Sequence, residues 1–289
     1  MTTNKNTLEH IIHGIFLLMG LVAVGCVLLI TVYLVISGIP AILEIGLIDF
    51  LFGKEWASTA TDPKYGIWAF ILTSIYGTAG AIVIGVPIGF MTAVYLSKMA
   101  SPKVKSVMQS AVSLLAGIPS VVYGLVGMLV LVPGIRKIFN VPDGASLLAA
   151  IIVLAIMILP SIIKMSITAL DAVPKEYEDA SLALGATPIE TYFKVSVPAA
   201  KSGIAAAVVL GVGRAIGEAM AVMMVAGNVP NMPDSLFQSV RFLTTAVSSE
   251  MAYSSGLQRQ ALFSIALVLF LFIMLINATL NFFLKREKE

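Results

Sequence analysis

Arg214 and Glu218 interrupt the apolar run from Gly203 to Gly227, and they are the residues of this chain whose type and place could do chemistry. A run of that length reads as a helix crossing a bilayer. An ionised side chain near the bilayer centre costs about 2.5–3.5 kcal/mol on insertion scales, so such groups face protein or a solute path and have work there. Read as one continuous helix, a spacing of four puts both residues on one face, where they partly neutralise each other. The pair is then either a structural ion pair locking a helix bundle or a charged station on a solute path. Other chemistry has little support. His10 and His13 lie three apart beside Glu9, which suits a solvated helix start better than a metal site. Two histidines at that position give a Ser-His-Asp triad no footing. Cys26 is the single cysteine, so no intrachain disulfide forms.

The elements that must position the pair follow from composition. The 289 residues are 58% hydrophobic and 12% charged, against about 25% charge in soluble domains. The chain is an all-α integral membrane protein. Six segments are long enough to cross: 13–37, 67–97, 107–133, 146–170, 203–227 and 260–284. No segment alternates with period two, which excludes a β-barrel. Ala23-Val24-Gly25-Cys26 faintly resembles a lipoprotein cleavage box, but the apolar run continues to Ile36, so an uncleaved first helix is expected. Six crossings put both termini on one side. With the termini inside, eleven basic residues lie inside and six outside; with Arg214 these are all 18. The excess makes the termini cytoplasmic, and Lys98, Lys103 and Lys105 are part of it rather than a lipid-headgroup patch.

Small residues recur every four positions at Thr73, Gly77, Ala81, Gly85, Gly89 and Ala93, and again at Gly203, Ala207, Gly211, Ala215 and Ala219. Such stripes let helix backbones approach closely, and they place Arg214 at the border of a packed face. The expected division is a first helix and external loop over 1–66, a transmembrane domain over 67–284 with a loop at 171–203, and a tail at 285–289.

The loop between the fourth and fifth spans reads as two short helices at an angle. Pro174 opens the first, with acidic residues early. Gly185 stops it, Thr187-Pro188 caps and starts the second, and Pro198 closes it. Asp179-Ala180-Ser181, three residues, Gly185, nine residues, then Val195-Ser196-Val197-Pro198 resembles the EAA loop of bacterial ABC-importer permeases. The glycine, central alanine, proline and spacings match; aspartate, serine and valines make conservative replacements. The resemblance implies a type I ABC importer permease (MetI-like) fold with six transmembrane helices. It also implies that Glu176, Glu178, Asp179, Ala180, Ser181, Gly185, Ala186, Thr187 and Pro188 couple this chain to an ATP-binding cassette ATPase dimer.

Gly213-Arg214-Ala215-Ile216-Gly217-Glu218, followed by Met220-Ala221-Val222 and Gly227-Asn228, resembles the fifth-helix signature of phosphate-specific permeases of the PstC type. Ala219 stands where threonine is common. Lys64 to Trp68, Pro87 to Ser97 and Gly117 to Gly124 are similar to the same family. The resemblance spans about residues 60–284 and implies a phosphate importer subunit of the bacterial inner membrane. Arg214 would relay the anion through planar, two-pronged donors matched to phosphate oxygens. Glu218 would hold Arg214 when the path is empty. A PstA-like second permease would complete the path, and an extracytoplasmic phosphate-binding protein would meet loops 38–66 and 228–260. A permease for molybdate or sulfate, the PstA-type partner itself, and a membrane scaffold or sensor with a purely structural pair are the alternatives. No Gly-x4-Gly-Lys-Ser/Thr loop occurs, so ATP and Mg are expected in the partner ATPase, with no cofactor, metal or nucleic acid on this chain.

Overall fold

The computed structural model describes residues 3–286 as a helical bundle. Five helices are long and apolar enough to cross a membrane: Ile12–Ile45, Trp68–Met99, Ser120–Phe139, Leu147–Asp171 and Gly256–Thr279. A sixth crossing is reached if Pro188–Ala199 and Lys201–Gly217, bent by 71° to each other, count as one span.

The elements run in order: α1 (Thr3–Ile45), α2 (Leu47–Phe52), strands β1 (Trp56–Ala57) and β2 (Lys64–Tyr65), α3 (Trp68–Val94), α4 (Pro102–Gly117), α5 (Ser120–Val126), α6 (Val132–Phe139) and α7 (Leu147–Asp171). Then come α8 (Lys175–Ala183), α9 (Pro188–Thr191), α10 (Val197–Ala199), α11 (Lys201–Gly217), α12 (Met220–Val225), α13 (Leu243–Glu250) and α14 (Gly256–Arg286). π-helical turns extend α3 over Tyr95–Met99, join α5 to α6 over Gly127–Leu131, and extend α9 over Tyr192–Ser196. The antiparallel hairpin β1–β2 pairs Trp56 with Tyr65 and marks one end of the bundle. The elbow α8–α10 marks the other.

The centre of the bundle is α7, 67% buried over its most apolar stretch. It lies between α3 and α11. The glycines of the α3 stripe explain the closeness. A Cβ on Gly85 would stand 2.7 Å from Ile158 Cδ1, and one on Gly89 would stand 2.9 Å from Ile162 Cγ2. Helix α11 approaches the same side chains: a Cβ on Gly211 would stand 3.0 Å from Ile162 Cγ1. Interior helices meet where small residues admit the branched side chains of α7. By contrast α1 is exposed over its apolar stretch. It meets α14 near its C-terminal end, where Ser264 Oγ donates to the Gly38 carbonyl and Tyr33 stacks edge-on to Phe263.

Two expected spans differ. The segment 107–133 is not one helix: Ile118 and Pro119 are extended (ψ 127° and 143°), so α4 ends at Gly117 and the apolar crossing is Ser120–Phe139. A proline disfavours helical backbone in the residue before it. Pro87 and Pro160 instead stay inside continuous helices. The segment 203–227 is also broken. Helix α11 ends at Gly217, Glu218 is extended (φ −74°, ψ 129°), and α12 restarts at Met220. Glycine is a poor interior helix residue. The carbonyl of Glu218 is satisfied by Thr244 Oγ1, which donates to it at 2.8 Å. Such substitute partners are what let a helix break within a membrane.

Candidate functional site

The break changes the geometry of the central pair. Arg214 lies on the last turn of α11 and Glu218 lies beyond it, so the two do not share a helical face as the continuous reading required. Arg214 Nη1 donates to Ser161 Oγ on α7 at 3.4 Å, its one hydrogen bond among the described residues. A guanidinium carries five N–H donors, so most of them remain for another acceptor. Arg214 borders a groove of about 700 Å³ whose lining includes Ser161 and Met165 from α7, Ala206 and Leu210 from α11, and Asn277 from α14. Tyr123 of α5 is within electrostatic range of it. The Glu218 carboxylate accepts the Ala221 N–H at 3.3 Å, satisfying a donor in the first turn of α12. Chemically the groove offers one under-used guanidinium, a hydroxyl and an amide, a set that suits an anion. Ser161 and Asn277 were not singled out by sequence. The available signal was weak, since each is one of several polar residues scattered in a largely apolar helix.

At the elbow the helix boundaries follow the cap residues. Gly185 takes φ +90°, in the left-handed region that favours glycine. Thr187 and Glu190 form a reciprocal capping box: Glu190 N donates to Thr187 Oγ1 at 3.3 Å, and Thr187 N donates to Glu190 Oε2 at 3.1 Å. That backbone donor and the Thr187 hydroxyl, with Lys194, hold the Glu190 carboxyl below the usual carboxylate value. A bond of 2.9 Å between the Ser181 and Thr191 hydroxyls ties α8 to α9.

The expected coupling residues separate into two groups. Glu176, Asp179, Ala180, Gly185, Thr187 and Pro188 are exposed, whereas Glu178, Ser181 and Ala186 are half-buried. Glu178 turns inward, 2.6 Å from Lys98 Nζ, and accepts Ser196 Oγ at 2.8 Å. Burial alone would raise its carboxyl. The hydrogen bonds from Lys98 and Ser196 and the charges of Lys98 and Lys175 outweigh that and hold it below the ordinary value. The outer surface also carries apolar side chains the sequence reading passed over: Tyr177, Leu182, Ile189 and Leu184, the last 90% exposed. Their position between acidic and capping residues hid them, because no periodic apolar face marks the loop.

A third polar cluster lies at the hairpin end. Arg241 pairs with Glu250, and its Nε and Nη2 donate to the Asn228 carbonyl at 3.0 and 2.9 Å. Glu250 also accepts from Trp56 Nε1 at 3.2 Å and Gln258 Nε2 at 3.1 Å. From sequence, Arg241 counted only as an outer basic residue.

Comparison with known proteins agrees with this architecture. Residues 85–288 match the family described as "Binding-protein-dependent transport system inner membrane component". The chain is 41% identical over 266 residues to the probable ABC transporter permease protein YqgH of Bacillus subtilis, covering 89% of this chain and 86% of that protein. It is 34% identical over 241 residues to the phosphate transport system permease protein PstC of Haemophilus influenzae, covering 77% and 76%. Among solved structures, an inward-facing MetNI methionine ABC transporter superposes with TM-score 0.57 at 21% identity, over 76% of this chain and 94% of that one. With its crossing helices and its elbow, the chain belongs to the binding-protein-dependent transport system inner membrane component family, as a multi-pass ABC-importer permease that works with a separate ATPase and a substrate-binding protein.

Proposed function

We propose that this chain is a transmembrane permease subunit of an ATP-driven inorganic phosphate importer. It forms half of the translocation path beside a second, PstA-like permease, with both termini and the elbow on the cytoplasmic side. The observation that carries the reading is Arg214: a guanidinium inside the membrane domain, bonded weakly to Ser161 and opening on a groove. Phosphate crossing unaided would bear a large desolvation cost, and a planar two-pronged donor is the group that replaces its water. The relatives named PstC support phosphate as the anion.

In this reading Glu218 takes a different part from the one its sequence spacing suggested. Its carboxylate holds the start of α12 and its carbonyl holds Thr244, so it sets the break that ends α11 just past Arg214. The exposed apolar tip of the elbow docks on the ATPase, which binds ATP and Mg. The hairpin end and the loop 228–260 meet a phosphate-binding protein.

The test is uptake of labelled phosphate into vesicles holding the assembled complex, comparing wild type with Arg214→Lys and Arg214→Gln. Loss of one good charge-assisted contact in the path is expected to lower uptake by about 10-fold or more, with assembly intact by co-purification. Wild-type uptake by the glutamine variant rejects the relay. Equal competition by molybdate or sulfate in the wild type moves the assignment to another oxyanion.

A further inference from the structure

At the elbow end, three ion pairs among the described residues differ sharply in enclosure. Side-chain exposure is 10% and 18% for Lys98 and Glu178, 30% and 42% for Lys105 and Asp171, and 74% and 48% for Lys194 and Glu190. Exposed pairs are screened and contribute little. Lys98–Glu178 is the one whose rupture would leave a charge in a poorly solvated place.

Its partners come from three elements. Lys98 sits on the π-helical turn that ends α3, next but one to Leu96, which is fully buried. Ser196, also fully buried, sits on the π-helical turn after α9 and donates to the same Glu178 oxygen. A π turn re-aims the side chains it carries, and such turns recur at functional sites. Helix α8 itself has no buried residue among those described. Glu178 reaches α3 by charge, and Ser181 ties α8 to α9 through Thr191. From Lys98 the chain of contact is continuous: α3 packs along α7 through Gly85 and Gly89, and α7 presents Ser161 to Arg214 on α11.

We propose that the Lys98–Glu178 pair, closed by Ser196, is the strut that carries movement of the elbow to α3 and, through α7, to the Arg214 groove. Glu178 is therefore a positioning residue of the transport cycle, and it is not part of the surface that the ATPase touches. This rests on the reading of the elbow as the ATPase dock. The directional, charge-assisted bonds of Glu178 suit the task, because an ion pair with two donors resists sliding where an apolar contact would not.

The strut is tested in the reconstituted complex by measuring ATP hydrolysed per phosphate taken up. Lys98→Gln and Glu178→Gln are each expected to raise that ratio about fivefold or more, with the ATPase co-purifying as in wild type. The exchanged pair, Lys98→Glu with Glu178→Lys, is expected to return the ratio to within about twofold of wild type, as contacting residues do in double-mutant cycles. Lys105→Gln, which opens the exposed pair with Asp171, should leave it unchanged. A wild-type ratio in both single variants, or no recovery in the exchange, overturns the strut. Loss of the ATPase from the single variants overturns it as well, since the pair would then only maintain the elbow's shape. A Leu184→Asp complex that keeps its ATPase would instead reject the docking reading on which the strut rests.

Discussion

Arg214 and Arg241 show how differently a membrane protein uses two guanidinium groups. Arg214 has one long bond to a hydroxyl and faces a groove, so its charge is available. Arg241 is spent on structure. Two of its nitrogens hold the carbonyl of Asn228, whose φ is +53°, and a third meets Glu250. The pair is 13% and 20% exposed. Breaking a buried pair by deleting one partner strands the other charge, at a cost of about 3–5 kcal/mol. Glu250→Ala is thus expected to lower the thermal midpoint of the detergent-purified protein clearly. A midpoint equal to wild type would show that Arg241 holds the loop through Asn228 alone. Arg214 was visible in the sequence because, with Glu218, it interrupts an apolar run. The role of Arg241 was not, since only the folded chain brings Asn228 and Glu250 to it, and strand β1 brings Trp56 to Glu250.

At the scale of elements, close packing and the elbow carry separate expectations. Overpacking a well-filled contact costs about 1–3 kcal/mol. Gly85→Leu, aimed at Ile158, should therefore lower the thermal midpoint. Gly134, with no atom within 4 Å of a built Cβ, should accept alanine with little change. Similar midpoints for the two variants would contradict the α3–α7 contact. At the elbow the folded Glu178 carboxyl lies below its ordinary value of 4.5. A depressed carboxylate adds stability that is complete above the unfolded value and lost as pH falls through the folded one. Amide exchange in 175–183 should accordingly rise on acidification below pH 4.5, beyond the intrinsic pH effect. Glu178→Gln should remove that extra dependence; if it persists, another group controls the helix. The helices and the capping signals of the elbow were legible, because stripes, glycine and Thr-Pro are local signals. The breaks at Pro119 and Gly217 were harder to read. Pro87 and Pro160 stay within continuous helices, and the Gly217 break depends on Thr244 reaching the Glu218 carbonyl.

For the whole molecule, the elbow tip is the exposed apolar feature expected to meet the ATPase. Leu184 is 90% exposed, beside Tyr177, Leu182 and Ile189. A central apolar anchor replaced by charge commonly costs 2 kcal/mol or more in a hot spot. Leu184→Asp should release the ATPase on co-purification, and retention would place the contact elsewhere. The sequence by itself determined that the chain crosses a membrane, which helices have small-residue faces, and where a charge sits among apolar residues. Composition and spacing carry those facts, because backbone groups facing lipid must be satisfied within their own segment, which favours helices. Tertiary structure decided what the charges do. Arg214 meets Ser161 rather than Glu218, Glu178 meets Lys98 across the elbow, and α7 becomes the centre. These depend on where distant segments meet, and on a helix break whose partner lies 26 residues away along the chain.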